Sequence, residues 1–131
     1  MSQQNVEIVR EVLAAWNAGD MDAVCELHDP DVIMRMAEGW PEPGPFTGRE
    51  AFMGELERLR DAFDANALEP ISDYIDVGDR VVVRYRWRGA GRGPEASFEF
   101  SQVITLRKGR VIAVDQVWDH REALKAVGLV E

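Results

Sequence analysis

Cysteine is almost absent from this 131-residue sequence: Cys25 stands alone. No internal disulfide can form, and no second cysteine lies near enough to give metal-ligand spacing. Basic charge is scarce as well, with 15 Lys and Arg against 24 Asp and Glu for a formal charge of -9. Phosphate-backbone binding needs a basic patch that releases counterions, so nucleic acid is excluded as a partner. No stretch approaches the roughly 20 apolar residues of a membrane span. The N-terminus, MSQQNVEIVREVL, is polar and then amphipathic, without the apolar run of a signal peptide. These absences describe a protein of the reducing cytoplasm, neither exported nor embedded. Internal repeats and low-complexity tracts are missing too. What remains, 131 residues of which 46% are hydrophobic, suffices for one domain spanning 1–131 and no more.

Helical periodicity dominates the first half. Val6, Val9, Leu13 and Trp16 recur on one face between Asn5 and Ala18, with Glu7, Arg10 and Glu11 between them. Gly19 ends that helix. Asp20 then caps a second one, from Met21 to about Leu27, which stops before Pro30. The pair reads as a helical hairpin. Residues Val32 to Met36 suit a short strand, and the run EGWPEPGPFTG after it, carrying Trp40 and Phe46, reads as loop throughout. A third helix is expected from about Arg49 to Phe63, with Phe52, Leu56, Leu59 and Phe63 on one stripe.

The second half changes period from about 3.6 to 2. In VVVRYRWR, Val81, Val83, Tyr85 and Trp87 share one phase, and Val82, Arg84, Arg86 and Arg88 share the other. Gly78-Asp79 before this strand and Gly89 to Gly93 after it are hairpin signals. The next strand places Phe98, Phe100, Gln102, Ile104 and Leu106 together. Lys108-Gly109 turns the chain into a last strand with Ile112, Val114, Gln116 and Trp118 in phase, and a short helix begins at Asp119. The pattern predicts an α+β domain in which helices and a curved antiparallel sheet enclose an apolar pocket. Neither cofactor nor metal is expected. Gly89, Gly91 and Gly93 join two strands rather than a strand and a helix, which excludes a dinucleotide loop. Asp73, Asp76 and Asp79 lack calcium-loop spacing and read as solvated turn residues.

Three segments carry a family resemblance: the helical break AGDMDAVCELHDPDV, the helix entry PFTGREAF and the closing hairpin LRKGRVIAVDQVWDHREAL. Together they resemble the SnoaL-like branch of the nuclear-transport-factor-two-like (NTF2-like) superfamily, alongside ketosteroid isomerases, scytalone dehydratases and limonene epoxide hydrolases. The resemblance spans nearly the whole chain. It implies a cone-shaped fold in which three helices of the N-terminal half close one side of a bent sheet around a pocket. Carried over by position, it implies pocket walls from Trp16, Met34, Met36, Phe52, Leu56, Val83, Tyr85, Phe100, Gln102, Val114, Gln116 and Trp118. The strand phases choose the same faces, and Trp40 maps near the same cavity. Flat rings and methionines suit a flat or polycyclic apolar ligand, although aromatics at such spacing often serve only as core.

The relatives' proton-handling positions are altered here. The strand aspartate that is the base of ketosteroid isomerases falls at Met36, their helix tyrosine near Val12, and their protonated acid at Gln102. The second aspartate of limonene epoxide hydrolases falls at Gln116. For the acidic residue of SnoaL-type cyclases the nearest candidates are Asp115 and Asp119, both on the wrong phase. The resemblance therefore implies a protein that binds a small hydrophobic molecule, polycyclic, polyketide-like or steroid-like. It either acts on that molecule by proton transfer, as an isomerase, cyclase, dehydratase or hydrolase, or serves as a non-catalytic carrier or dimerising accessory module.

His28 is the candidate catalytic residue, as a proton shuttle in reach of the pocket. The alternative is a histidine at a helix C-terminus, bonded to the last carbonyls and favoured by the dipole. Gln102 and Gln116 interrupt apolar phases. They either satisfy each other or orient a ligand carbonyl, hydroxyl or water. Asp119 with Glu122 resembles a capping box, which gives neighbouring His120 a structural role. Arg84, Arg86 and Arg88 are expected to pair across strands with Glu99 and Asp115. Val82, Val103, Ala113 and Val117 would be exposed on the outer sheet face of a monomer, so a two-fold homodimer through that face is expected.

Overall fold

The computed structural model describes residues 2–62, 65–91 and 96–131. The first helix, α1 (Ser2–Ala18), buries Val6, Val9 and Trp16, the face that periodicity selects. It ends in a hydrogen-bonded reversal: Gly19 N–H donates to the Trp16 carbonyl and Asp20 N–H to that of Ala15. Gly19 has φ +74°, a left-handed turn that a Cβ would strain, which is why the break falls there. The Asp20 carboxylate then accepts from Ala23 N–H at 3.1 Å and starts α2 (Met21–Glu26).

The next strand, β1 (His28–Arg35), begins four residues earlier than Val32, the expected start. It is irregular. His28 pairs with Val111 and Ile33 with Ala113, so the intervening residues around Pro30, which has no N–H to give, bulge out of the ladder. Within the Pro/Gly-rich run lies a two-residue strand, β2 (Phe46–Thr47), antiparallel to β1, so the run is not loop throughout. Gly44 is required beside it, since a Cβ there would meet Phe46 N at 2.9 Å. Then α3 (Arg49–Asp61) follows and ends short of Phe63, which lies outside the described residues.

Two further short strands, β3 (Ala65–Pro70) and β4 (Ile75–Val77), precede β5 (Arg80–Ala90), β6 (Ala96–Arg107) and β7 (Arg110–Val117), and α4 (His120–Ala126) closes the chain. The sheet runs β2-β1-β7-β6-β5-β3, with β4 also on β5. Among the described residues only the β1/β7 pair is parallel. The hairpin expected between β5 and β6 falls partly on Gly93, which lies outside the described residues.

The inner sheet face carries the phase expected for β5 and β6: Val81, Val83, Tyr85, Trp87, Phe100, Ile104 and Leu106 are all core. In β7 the expected phase fails at one point. Thr105 pairs with Ala113 but Leu106 with Val111, which leaves Ile112 unopposed. The bulge turns Val111 into the core in its place, 1% exposed.

The outer face is not the bare surface that a monomer was expected to show. Helix α4 lays Ala123 and Val127 over Val82 and Val103, leaving these two 0% and 5% exposed. Only Ala113 and Val117 remain half-buried. A polar latch pins α4: Arg84 Nη1 donates to Ser101 Oγ and to the Trp118 carbonyl, both at 3.0 Å. The buried Ser101 hydroxyl, which accepts from Arg84, also shares a hydrogen bond with His120 Nδ1 at 2.9 Å. Burial lowers the His120 pKa, and the Arg84 cation lowers it further against the opposing pull of Asp119. Asp119 caps α4 by accepting from Arg121 N–H. On the same face Arg86 pairs with Glu99 and Glu69 at 3.0 Å each, and Arg84 lies 3.8 Å from Glu99. Asp115, expected opposite the arginine stripe, pairs instead with Arg35 on β1.

The β3 edge is closed by a side chain. Asn17 Nδ2 donates to the Leu68 carbonyl at 2.9 Å while its Oδ1 accepts from Leu68 N–H at 2.9 Å, a substitute for a neighbouring strand. Asn17→Ala is expected to lower the unfolding free energy by about 1 kcal/mol in urea denaturation. Asn17→Asp, which keeps only the acceptor, should fall between Ala and the wild type.

Candidate functional site

Between the helices and the inner sheet face lie two chambers that meet at Trp16, Leu56, Leu68, Gln102 and Gln116. The deep one, about 80 Å³, sits under α1, α2 and α3 and reaches Val24, His28, Met34, Phe52 and Tyr85. The outer one, about 460 Å³, runs beneath the segment carrying Gly39, Trp40 and Pro41 and reaches the surface near Arg58 and Trp118, both exposed. An apolar cavity of about 150 Å³ holds benzene. The outer chamber is about three times that size, and the deep one is about half of it.

Aromatic packing shapes the outer chamber. Phe98 lies at its centre, with ring centroids 5.0 Å from Trp87, 5.4 Å from Trp40, 5.6 Å from Phe100 and 5.8 Å from Trp118. Edge and tilted contacts at these separations suit the ring quadrupoles and hold flat walls apart rather than collapsing them. Trp118 is tied down by its indole N–H, which donates to the Glu38 carbonyl at 2.7 Å. On the opposite wall, the Arg60 guanidinium covers the Trp16 ring at 4.6 Å. The indole N–H groups of Trp16 and Trp40 are buried without a partner among the described residues.

Of the expected pocket residues, Trp16, Met34, Trp40, Phe52, Leu56, Tyr85, Phe100, Gln102, Val114, Gln116 and Trp118 line one chamber or both. Met36 does not. β1 ends at Arg35, so strand alternation does not carry to Met36, which packs against the core instead. Val83 is also off the wall, packed over completely at 0% exposure. Phe98, Trp87 and Leu68 join the walls. The first two sit on the inner strand phase, where alternation already marks them. Arg58 also lines the outer chamber, and its fork grips Glu55 with two bonds of 2.7 Å. Glu55 is a buried carboxylate at 4% exposure. Its helical position alone does not reveal it, because it lies beside the apolar stripe.

Gln102 and Gln116 are direct cross-strand partners, yet their amides do not bond to each other. Gln116 Nε2 reaches only Met34 Sδ at 3.9 Å, a weak acceptor, and Gln102 has no partner among the described residues. Two amides with unused capacity therefore stand where the chambers meet. Met34 beneath them is 1% exposed.

His28 is held from three sides. Its Nδ1 lies 2.6 Å from the Val24 carbonyl in α2, its ring stacks on Phe52 at 4.3 Å, and Arg49 Nη1 donates to its own carbonyl at 3.2 Å. Burial lowers its pKa to about 4; the Val24 bond opposes the shift and the Arg49 cation adds to it. The bond to a helix carbonyl is thus present, but the ring is neutral at ordinary pH and the helix dipole does not hold it as a cation. A carbonyl can only accept, so Nδ1 carries the proton and Nε2 the lone pair. Tyr85 shares a hydrogen bond with Tyr74, and burial pushes its hydroxyl well above its usual range. Among the described wall residues none is a carboxylate. Asp115 faces outward, and Asp119 is spent on the α4 cap.

The neutral His28 links stability to pH. Its folded value of about 4 lies below the unfolded 6.5, so the unfolded chain binds the extra proton. The His28 contribution is complete above pH 6.5 and is lost progressively as pH falls toward 4. The whole shift amounts to roughly 3 kcal/mol. Denaturation at several pH values should show that slope in the wild type and a shallower one in His28→Gln.

Comparison with known proteins follows the geometry. No curated protein matches the sequence. In structure, the chain is similar to Bal32a from a soil-derived mobile gene cassette, at 26% identity over 88% of each chain and TM-score 0.80. It is also similar to a putative SnoaL-like polyketide cyclase from Jannaschia (21%, 99% of this chain and 95% of that one, TM-score 0.76). TerC, co-crystallised with polyporic acid, is comparable at 23%, 95% and 98%, and 0.76. The curved, unclosed sheet with helices in the N-terminal half is thus the NTF2-like fold. The SnoaL-like domain model matches residues 9–114, and the chain belongs to that family.

Proposed function

We propose that the protein binds a small, flat, hydrophobic molecule of polycyclic outline across the two chambers, and that any reaction there is a proton transfer through His28. The observation that supports this most directly is the outer chamber itself: about 460 Å³ walled by Trp40, Trp87, Phe98, Phe100 and Trp118 and left open. Its size falls in the range of small-molecule pockets, and its few polar groups converge at one place, as such pockets require. The same fold was co-crystallised with polyporic acid in TerC, which is in keeping with a small-molecule role.

For chemistry, the titratable groups on the walls narrow the choice. Arg58 stays charged and Tyr85 stays protonated. Among the described wall residues His28 alone offers a lone pair on a nitrogen that can take a proton, and burial makes it a weak base. A pKa of about 4 resembles that of the aspartate base in ketosteroid isomerase, about 4.6, so weak basicity does not exclude isomerisation, cyclisation or dehydration. A second reading, a non-catalytic carrier, is favoured by Gln102 and Gln116 standing where catalytic relatives have ionisable groups.

Native mass spectrometry of the purified protein should show a retained apolar ligand. Calorimetric titration with naphthalene provides a defined probe. Leu59→Trp, which fills the outer chamber, should weaken naphthalene binding tenfold or more and leave the melting temperature within a few degrees. Equal binding by the variant would place the ligand elsewhere. Gln102→Leu should raise stability by about 1 kcal/mol, because it removes a half-buried amide that lacks a partner. If His28→Gln leaves turnover of an identified ligand unchanged, His28 is not the base; if the wild type binds the ligand and does not turn it over, the carrier reading stands.

A further inference from the structure

We infer that the deep chamber selects ligands by a hydroxyl group at their inner end, with His28 Nε2 accepting its hydrogen bond, and that it rejects ligands whose inner end is anionic. This rests on the small-molecule reading above and specifies the chemistry of the ligand's buried tip.

The argument begins with direction. Val24 lends its carbonyl to His28 Nδ1 at 2.6 Å, and that oxygen has no proton to give. The proton on Nδ1 fixes the lone pair on Nε2, at the opposite side of the ring. Phe52 against one ring face at 4.3 Å keeps the imidazole from turning. Nε2 has no partner among the described residues, although His28 is 2% exposed and lines the deep chamber. An acceptor without a donor in so enclosed a place is costly, and a ligand O–H placed there removes that cost.

Size sets the next limit. A volume of about 80 Å³ exceeds what one water needs and is about half that which holds benzene. The deep chamber therefore takes a hydroxyl with the two or three atoms that carry it, while the ring system stays outside among the aromatic walls. Charge sets the last. Among the described residues no cation lines this chamber, so a carboxylate tip would be desolvated without a counter-ion and would face a lone pair. The amides of Gln102 and Gln116 stand just outside, able to give or accept, so they orient the ligand without choosing its polarity.

Three probes of one shape separate these properties: β-naphthylethanol, β-propylnaphthalene and β-naphthylacetate, titrated calorimetrically into the wild type and His28→Phe. The alcohol and the hydrocarbon differ in hydration, so the informative quantity is the ratio of their dissociation constants in each protein. The expected result is a preference for the alcohol that falls tenfold or more in His28→Phe, with the acetate binding at least tenfold more weakly than the alcohol to the wild type. Nitrogen NMR of the wild type adds a readout that needs no variant to fold: the Nε2 resonance should move with the alcohol and stay with the hydrocarbon. An unchanged ratio, or an Nε2 signal indifferent to the alcohol, overturns the inference while hydrocarbon binding preserves the small-molecule reading. Failure of all three probes to bind the wild type overturns both.

Discussion

The register of β5, β6 and β7 governs the rest of the molecule. Val83 opposes Gln102, which opposes Gln116; Tyr85 opposes Phe100; Trp87 opposes Phe98. Because strand side chains alternate with a period of two, these pairings place the aromatic and amide groups on one face and Arg84, Arg86 and Glu99 on the other. A slip of one residue would send the arginines into the cavity and the rings into water. Both chambers and the docking site of α4 are consequences of this single alignment, read from opposite sides of the sheet. Where the register does shift, between Thr105 and Leu106, the core takes Val111 in place of Ile112.

That alignment also explains what the sequence reveals. Period-two patterning is strong wherever one face is largely apolar, so β5, β6 and the stripe of α1 are legible from residue order alone, whereas the residues of the cavity wall are named by the family resemblance. Short elements are not. β2 has two residues and β4 three, too few to establish a period, and β3 is completed by Asn17 from a distant helix. The bulge at Ile112 is invisible because an extra residue changes phase without changing composition. Met36 fails because β1 ends one residue before it.

The outer face teaches a different lesson. Val82 and Val103 look like a dimer surface when α4 is read only as a terminal helix. Its apolar residues Ala123 and Val127 are few, and what positions them is polar: the chain of Arg84, Ser101 and His120. Such a network depends on three residues from three elements, and no local pattern announces it. Glu55 is a parallel case. Its burial is tolerable because Arg58, one turn on, supplies a bidentate partner whose other side reaches water.

The cavity is electrically quiet within a chain of net charge -9. Among the described wall residues the polar groups include a neutral imidazole, two amides, two unpartnered indole N–H groups and a phenol that burial keeps protonated, and the one charged residue, Arg58, is matched by Glu55 at the rim. Neutral dipoles cost less to bury than ions. A pocket of this kind offers little attraction by charge, and flat apolar walls by themselves distinguish poorly among planar hydrocarbons. Discrimination has to come from hydrogen-bond direction. Of the inner acceptors, the amides can donate or accept by rotating and Tyr85 is engaged with Tyr74, whereas His28 has its direction fixed by Val24. The neutral state that makes His28 a weak base thus makes it a well-defined acceptor, and the recognition and the proton transfer proposed above would both use the same nitrogen.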